Sequence, residues 1–365
     1  MKKQLGIYKI IAGCFLVLIL TFSINATSIA EPVVSMQSGT FKTAVERKAL
    51  QAFRVDKTKG FRSKVEATKM GERLFNYSPR ERTVSRTTTG TPSLMSVQPH
   101  IKIKLETDGD RLYDIKKADP SSYFFINKST GDISFHRGMN AYINNKPTKG
   151  LPRGEKEAID SAKRILGDLK LMPEKLEEMV VRHVGGMKMA EQTERGETRE
   201  VDKLITVHFG RKIDGIDVGG PGSKIVVSIG TEGELVALTR RWIEVKKEAK
   251  KADQFYPKKS ILKNVRFKLV KDAAEAKSIN SSVPELGYYD DGQGNIEPAY
   301  FVTADLEYGS RGEGMEKISS LSIVPALKDA RADFIQLEQP KTRPRAIDRP
   351  IRMGRESMER DNSDE

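Results

Sequence analysis

Residues 201–245 carry the clearest alternation of apolar and polar positions in the chain. The first run, Ile205 to Phe209, has an apolar residue at every second position, which is the pattern of a half-buried strand. Three further runs follow, at residues 213–218, at residues 224–229 and up to Trp242. Because glycine-containing turns separate the runs, the pattern predicts a compact antiparallel meander of four strands.

The flanking sequence predicts further hairpins and several helices. Alternation around turns rich in aspartate and glycine predicts hairpins at residues 101–115, 123–135 and 288–306, and a last strand at residues 318–324. Apolar residues at helical spacing predict helices at residues 43–54, at residues 155–169, between Pro173 and Gly185, and at residues 272–279. The sequence therefore predicts an α+β fold, in which helices pack on antiparallel β-sheets.

Composition and periodicity divide the chain into six segments. Residues 80–92 and the proline-containing C-terminal end lack apolar periodicity, so they cannot bury enough surface to offset the entropy of ordering. We expect a signal peptide (1–30), a polar, largely flexible arm with one short helix (31–99), an α+β lobe (100–245), a basic connector (246–271), a second, smaller α+β lobe (272–337) and a disordered tail (338–365).

The first thirty residues have the three parts of a secretory signal peptide. A lysine-containing start precedes the apolar run Ile10–Phe22, and small residues come before the bond between Ala30 and Glu31. The sequence therefore predicts export, with cleavage at that bond, to the periplasm, the cell envelope or the medium. An uncleaved signal anchor is the alternative, and it is the one route by which we expect the chain to enter a membrane.

Cysteine content and charge narrow the chemistry. Cys14 is the single cysteine, so a disulfide framework, a thiolate nucleophile and a cysteine-bound metal are excluded from the cleaved chain. The formal charge of +13 becomes +10 when the three lysines of the first nine residues are removed. Export argues against nucleic acid as the partner of this basic chain. Anionic lipid headgroups, wall polymers and acidic proteins are the expected partners.

Residues 154–245, about a quarter of the chain, combine a helical segment with four strand and turn segments, Val207–Arg211, Ile213–Val218, Gly222–Val227 and Gly230–Leu235. On these segments the central stretch resembles the PepSY-like domains of exported bacterial proteins and the propeptides of thermolysin-type and fungalysin-type metalloproteases. Asp214 and Asp217 stand where these families often have asparagine and proline.

The resemblance implies a helix followed by a cystatin-like meander that binds or restrains a protease, or that senses an extracytoplasmic signal. Such modules are generally not catalysts. Because no His-Glu-x-x-His occurs in the sequence, no thermolysin-type zinc domain follows, and the module would act in trans.

Candidate catalytic and metal residues do not form a recognisable set. The histidines, at positions 100, 136, 183 and 208, are too far apart in sequence to form a helical metal pair. His208 alternates with core positions, so we expect it to face outward. Asp290 and Asp291 fit a hairpin turn better than a calcium loop. We predict no catalytic residues, no cofactor and no metal site.

The basic connector is the candidate interaction surface, and a solvated linker between the two lobes is the alternative. Residues 246–271 carry ten lysines and arginines against two acidic residues, a local balance of +8. Cations interleaved with aromatic residues are typical of contacts with a membrane surface or an anionic polymer. The candidate residues are Arg241, Trp242, Lys246, Lys247, Lys250, Lys251, Phe255, Tyr256, Lys258 and Lys259.

These observations predict an exported, non-catalytic binding or regulatory module with two antiparallel-sheet lobes. We expect it to restrain or chaperone a protease in trans, or to bind another envelope protein or an anionic envelope surface. Two alternatives stay open. One is an envelope-acting hydrolase with an unrecognised carboxylate site, and the other is a membrane-anchored accessory domain of a sensory system.

Overall fold

A computed structural model describes most of the chain beyond the predicted signal peptide. The described ranges are residues 32–56, 63–79, 101–115, 121–143, 147–192, 198–273, 275–309 and 315–334. All of them belong to the second of two units, Met1–Glu31 and Pro32–Glu365. The predicted signal peptide, the linker at residues 80–92, His100 and the predicted tail lie outside the described residues.

The α+β class is confirmed, with sheet predominating. The described residues form α1 (Lys64–Phe75), α2 (Glu155–Asp168) and α3 (Lys258–Asp272). The sixteen strands are β1 (Val33–Met36), β2 (Gln51–Val55), β3 (Glu106–Asp108), β4 (Arg111–Ile115), β5 (Tyr123–Asn127), β6 (Ile133–His136), β7 (Met179–Gln192), β8 (Thr198–Ile213), β9 (Ile216–Gly219), β10 (Lys224–Ile229), β11 (Leu235–Arg241), β12 (Val245–Ala249), β13 (Ser278–Ser281), β14 (Glu285–Asp290), β15 (Asn295–Gly309) and β16 (Met315–Pro325). None of the helices in the described ranges is long and apolar enough to cross a membrane.

The strands form one hydrogen-bonded network. Its main path runs β1-β13-β15-β14-β9-β8-β10-β11-β6-β5-β4-β3, and β7 pairs with β8 outside that path. Strand β16 pairs with β15, and β2 pairs with both β12 and β15. The sheet is mixed, because β1 and β13 are parallel, as are β9 and β14, whereas the other pairs are antiparallel.

The central strands differ from the predicted meander in their connectivity. Strand β10 pairs with β8 and β11, and β9 lies on the other side of β8. The far edge of β9 is taken by β14, where Tyr288 lies opposite Val218. The chain then crosses over at Gly220, whose φ is +109° and whose added Cβ would lie 2.3 Å from the carbonyl oxygen of Asp290. The crossover depends on a long-range contact and is therefore not encoded in the local alternation.

Two large hydrophobic clusters form the core. In the first, α1 and α2 cover one face of β5, β6, β8, β10 and β11, with residues such as Leu166, Phe209 and Trp242 buried between them. In the second, α3 packs on β13, β15 and β16 around Ile261 and Val302. Complete burial of each such side chain contributes about 1.5–3 kcal/mol, so these clusters stabilise the fold.

The prediction of a helix at residues 43–54 is wrong. The prediction of a flexible arm is also wrong for the two segments of the arm that the structure describes, residues 32–56 and 63–79. Residues 51–55 form β2, with Ala52 and Phe53 buried, since its partners β12 and β15 complete a sheet around it. The helix of this region is α1, which begins after Ser63, whose Oγ accepts a hydrogen bond from the amide of Glu66 at 3.2 Å.

Three further elements differ from the prediction. The expected helix between Pro173 and Gly185 is a short 3₁₀ turn followed by β7, because β8 offers a long partner edge. The expected helix at residues 272–279 is the end of α3 followed by β13. Residues 246–271 are not a connector, since β12 and α3 lie within them and α3 contributes to the core.

Candidate interaction surface

The lysines of β12 lie at the surface beside acidic residues. The side chains of Lys246 and Lys247 are 68% and 62% exposed. The Nζ atom of Lys246 lies 3.1 Å from an Oδ atom of Asp56, and that of Lys247 lies 4.0 Å from an Oδ atom of Asp214. These two cations are partly neutralised by the fold itself.

Three other predicted residues serve the fold rather than the surface. Lys250 is buried and donates to Glu248 at 3.0 Å. Phe255 is 4% exposed and belongs to the second core cluster, where it forms a bridge with Leu327. The neighbouring Tyr256 is half-buried. These three residues therefore do not form the predicted exposed mixture of cations and aromatic rings.

Trp242 is also a core residue, which corrects its place in the predicted surface. It is 1% exposed, and the guanidinium of Arg211 lies 5.0 Å from the centroid of its ring. Its neighbour Arg241 is exposed at the end of β11. The two neighbours, both candidate residues of the interaction surface, therefore lie in different environments, with Arg241 at the surface and Trp242 in the core.

The outer face of α3 is a basic, exposed surface. Its inner face is apolar at four-residue spacing, with Ile261, Val265 and Leu269 buried. Its outer face consists of Lys259, Lys263, Arg266, Phe267, Val270 and Lys271. The four cations of this outer face are exposed and have no acidic partner among the residues that the structure describes. Phe267 is 69% exposed in the middle of them.

Of this face, the sequence interpretation included Lys259 alone. Lys263, Arg266 and Phe267 were missed, although helical spacing within the basic stretch would have placed them together. Lys251 and Lys258 lie near the start of α3 and are exposed. The Nζ atom of Lys258 lies 4.9 Å from the ring centroid of Phe41, an interaction between a cation and an aromatic face.

The carboxylates of the hairpin turn after β14 are occupied by hydrogen bonds. Asp290 is fully buried and accepts from Ser223 Oγ at 2.5 Å and from the amide of Gly292 at 2.9 Å. Burial raises the pKa of Asp290. Asp291 accepts from the amides of Gln293 and Asn295. Both residues therefore stabilise the turn, as the sequence interpretation expects of them.

Asp132 lies in the turn between β5 and β6, and the pKa of its carboxyl is shifted. Burial raises the pKa of Asp132 to about 6, against the opposing effects of a hydrogen bond with Thr130 and of the charge of Arg241. A carboxyl with this pKa can exchange a proton near neutrality. In the part of the chain that the structure describes, no second carboxylate converges on it, since the next acidic charge that affects it is the buried Asp290.

A groove with a described lining runs along α2. It has a volume of about 390 Å³ and is lined by Arg153, Lys156, Glu157, Asp160, Ser161 and Arg164. Glu157 accepts a hydrogen bond from the amide of Arg153 at 2.9 Å. Three cations and two carboxylates line the groove. The groove is therefore a polar surface of mixed charge and not a site where two carboxylates converge.

The outer face of the central sheet carries His136, His183 and His208. His208 lies between Val207 and Phe209, which point into the core, so its expected outward direction is confirmed. His136 stacks on the ring of Tyr123, with the ring centroids 4.7 Å apart. His183 and His208 are far apart in sequence, but the pairing of β7 with β8 brings their ring centroids to 5.8 Å.

Comparisons with known proteins do not identify a family. No protein-family model matches the chain. No curated protein matches it either. Among solved structures, the chain is similar to the crystal structure of an uncharacterized protein from Eubacterium rectale ATCC 33656, at 11% sequence identity and a TM-score of 0.36. The match covers 76% of this chain and 83% of that chain. At that score the likeness supports no conclusion about fold or function.

Proposed function

We propose that this protein is an exported, non-catalytic binding module that docks on an anionic surface of the cell envelope through the outer face of α3. The observation that carries the proposal is the set of four exposed cations around Phe267 on that face, which have no acidic partner within the described ranges. A folded protein gains nothing in stability from exposing this aromatic ring. An anionic bilayer would use both features of the face, because headgroups attract the cations and the interface accepts the ring.

The magnitudes favour a measurable interaction. Each lysine or arginine near an anionic leaflet contributes about 1 kcal/mol, so the four cations contribute roughly 4 kcal/mol. Partial burial of Phe267 adds about 1 kcal/mol. The sum of roughly 5 kcal/mol corresponds to reversible docking rather than to permanent anchoring.

The finer architecture is also part of the proposal. The two large hydrophobic clusters support two lobes, one built on α1 and α2 and the other on α3. The order of α2 followed by β7 to β11 supports a PepSY-like or propeptide-like module in the first lobe. In this arrangement the α3 face would hold the protein at the envelope while the first lobe binds a protease or another envelope protein.

Vesicle co-sedimentation tests the docking. The chain without its first thirty residues is expected to bind vesicles of phosphatidylcholine that contain anionic phosphatidylglycerol, and to dissociate as salt screens the attraction. Replacing Lys263 and Arg266 together by alanine removes about 2 kcal/mol, which is about a thirtyfold loss of affinity. Replacing Phe267 by alanine is expected to weaken binding by about fivefold.

The matched control is the double alanine variant of Lys246 and Lys247. It removes the same charge from β12, where acidic neighbours lie close to both lysines. We expect it to bind vesicles nearly as the unmodified chain does. Equal losses in the two double variants would show that binding follows net charge alone. Retention of vesicle binding by the Lys263 and Arg266 variant, or binding to an acidic protein in preference to vesicles, would contradict the proposal.

A further inference from the structure

Two imidazoles face each other across β7 and β8. His183 and His208 are cross-strand partners, and their ring centroids lie 5.8 Å apart with the ring planes inclined at 56°. His183 is exposed and His208 is half-buried on the outer face of the sheet. Neither ring has a hydrogen-bond partner among the side chains and backbone that the structure describes.

A β-bulge is what places His183 on this face. Val181 lies opposite Phe209, and the next partners are His183 and His208, so Arg182 is an extra residue in β7. In a regular ladder His183 would lie opposite Val207, which is fully buried against α2. The inserted residue therefore turns one imidazole out of the core and towards the other. Bulges of this kind redirect a side chain and are over-represented at sheet edges, such as β7, and next to active sites.

Gly185 leaves room for the ring of His183. A Cβ atom added at Gly185 would lie 2.4 Å from Nε2 of His183. The imidazole thus lies over the bare backbone of its own strand, and any side chain at position 185 would displace it. The position of the ring beside His208 depends on this glycine.

We propose that His183 and His208 form a binding site for a late first-row divalent metal ion, Zn²⁺ or Cu²⁺. Two imidazoles that share a tetrahedral Zn²⁺, with Zn–N bonds of about 2.0 Å, have ring centroids roughly 5 Å apart. The observed separation of 5.8 Å lies within about 1 Å of that value, and the His183 ring is exposed. Imidazole is a preferred ligand of both ions.

The two histidines would leave the other coordination positions of the metal ion open. No third His, Cys, Asp or Glu in the described residues completes a cluster with this pair. Water or a partner's side chain would fill the remaining positions, so the site suits an exchangeable ion rather than a structural one. Each imidazole would bind the ion in its neutral form, and the charge of Lys224, which acts on His208, limits the affinity for a cation.

Calorimetric titration of the untagged full-length chain with Zn²⁺ and with Cu²⁺ tests the site. We expect one equivalent of metal to bind, and substitution of either His183 or His208 by alanine to weaken binding about tenfold or more. Since His183 is exposed, its substitution is not expected to affect folding. Gly185→Ala keeps both ligands but displaces one ring, and it is expected to weaken binding in the same way.

The control is His136→Ala, which removes the third histidine of the same sheet face. It is expected to leave the affinity within about twofold of the unmodified chain. A nitrogen signature from two imidazoles in the electron paramagnetic resonance spectrum of the Cu²⁺ form would support the pair directly. Absence of binding, or equal loss in the His136 and His183 variants, would overturn the proposal.

Discussion

The ion pair between Arg211 and Glu178 is the most informative place to perturb the fold. The Arg211 side chain is 1% exposed, and its Nε donates to Oε2 of Glu178 at 2.6 Å. Its Nη1 donates to the carbonyl oxygen of Ile243 at 2.9 Å, and the guanidinium lies over Trp242. The pair thus joins β8, the start of β7 and the end of β11 inside the first core cluster.

Removing one member of such a pair leaves a buried charge without its partner, which typically costs 3–5 kcal/mol. For Glu178→Gln we expect a loss of about 3 kcal/mol, because the amide keeps the shape but cannot neutralise the guanidinium. Arg211→Met is expected to cost about 2–3 kcal/mol, since Glu178 keeps Lys175 at 3.2 Å while the contact with Trp242 is lost. The double variant is expected to cost about as much as one single variant, a coupling of roughly 2 kcal/mol.

Urea denaturation measures these free energies, and the fluorescence of the native tryptophan can follow the transition. Trp242 is the only tryptophan and is buried beside the pair, so its fluorescence reports unfolding of this core. Far-ultraviolet circular dichroism provides a second probe that is independent of the local change. The control is Glu200→Gln in the exposed pair with Lys188, where we expect no measurable change. Single-variant losses that add in the double variant would refute the coupling, and a Glu178→Gln loss below about 0.5 kcal/mol would refute the cost of the unpaired charge.

Two further predictions concern single positions. The pKa of Asp132 is raised to about 6 in the folded protein. Ionisation of this carboxyl therefore lowers the free energy of unfolding above pH 6, and the loss disappears as the pH falls from 6 towards 4. Asp132→Asn should therefore increase the free energy of unfolding by about 1–2 kcal/mol at pH 8 and leave it unchanged below pH 4, as urea titrations at both pH values would show. Gly222→Ala should cost about 3 kcal/mol, because the new Cβ would lie 2.2 Å from Oδ1 of the buried Asp290. Gly215→Ala, at a φ of +76° in open space, should cost about 1 kcal/mol, and a larger thermal shift for Gly215 than for Gly222 would contradict this reasoning.

The parts of the fold that local patterns determine could be predicted from the sequence. The strand at Ile205 to Phe209, the strand at residues 224–229 and the helix at residues 155–169 all occur, because their apolar periodicity matches the face that they bury. The hairpins at residues 101–115 and 123–135 also occur, since the turn chemistry and the flanking alternation agree.

Errors arose where a distant partner decides the local structure. Residues 51–55 could form a helix turn or a strand, and β12 and β15 select the strand. The local sequence before Gly185 predicts a helix, because it does not reveal the edge of β8 that pairs with this segment. The pairing of His183 with His208 has the same origin, since it depends on a register shift at Arg182 and on the absence of a side chain at Gly185.

The basic face of α3 contains a local conflict in the sequence that supports the proposed docking surface. Helix dipoles favour acidic residues in the first turn, and α1 and α2 follow this rule with Glu66 and with Glu155. The first turn of α3 has no acidic residue and instead carries Lys258 and Lys259, at a cost of about 0.3–1 kcal/mol each. The contact of Lys258 with Phe41 offsets part of that cost, but among the described residues nothing offsets it at Lys259.

A sequence that departs from local helix electrostatics at one end, and exposes Phe267 further along the same helix, is not optimised there for folding. The inner face of α3 is optimised, since its buried residues recur at regular four-residue spacing. The residue types of the two faces of α3 therefore fit two different roles. The inner face holds the second core together, and the outer face has the charge and the exposed ring that an anionic interface would select. This division within one helix is the reason to test docking at Lys263 and Arg266, where a substitution changes the outer face without touching the core.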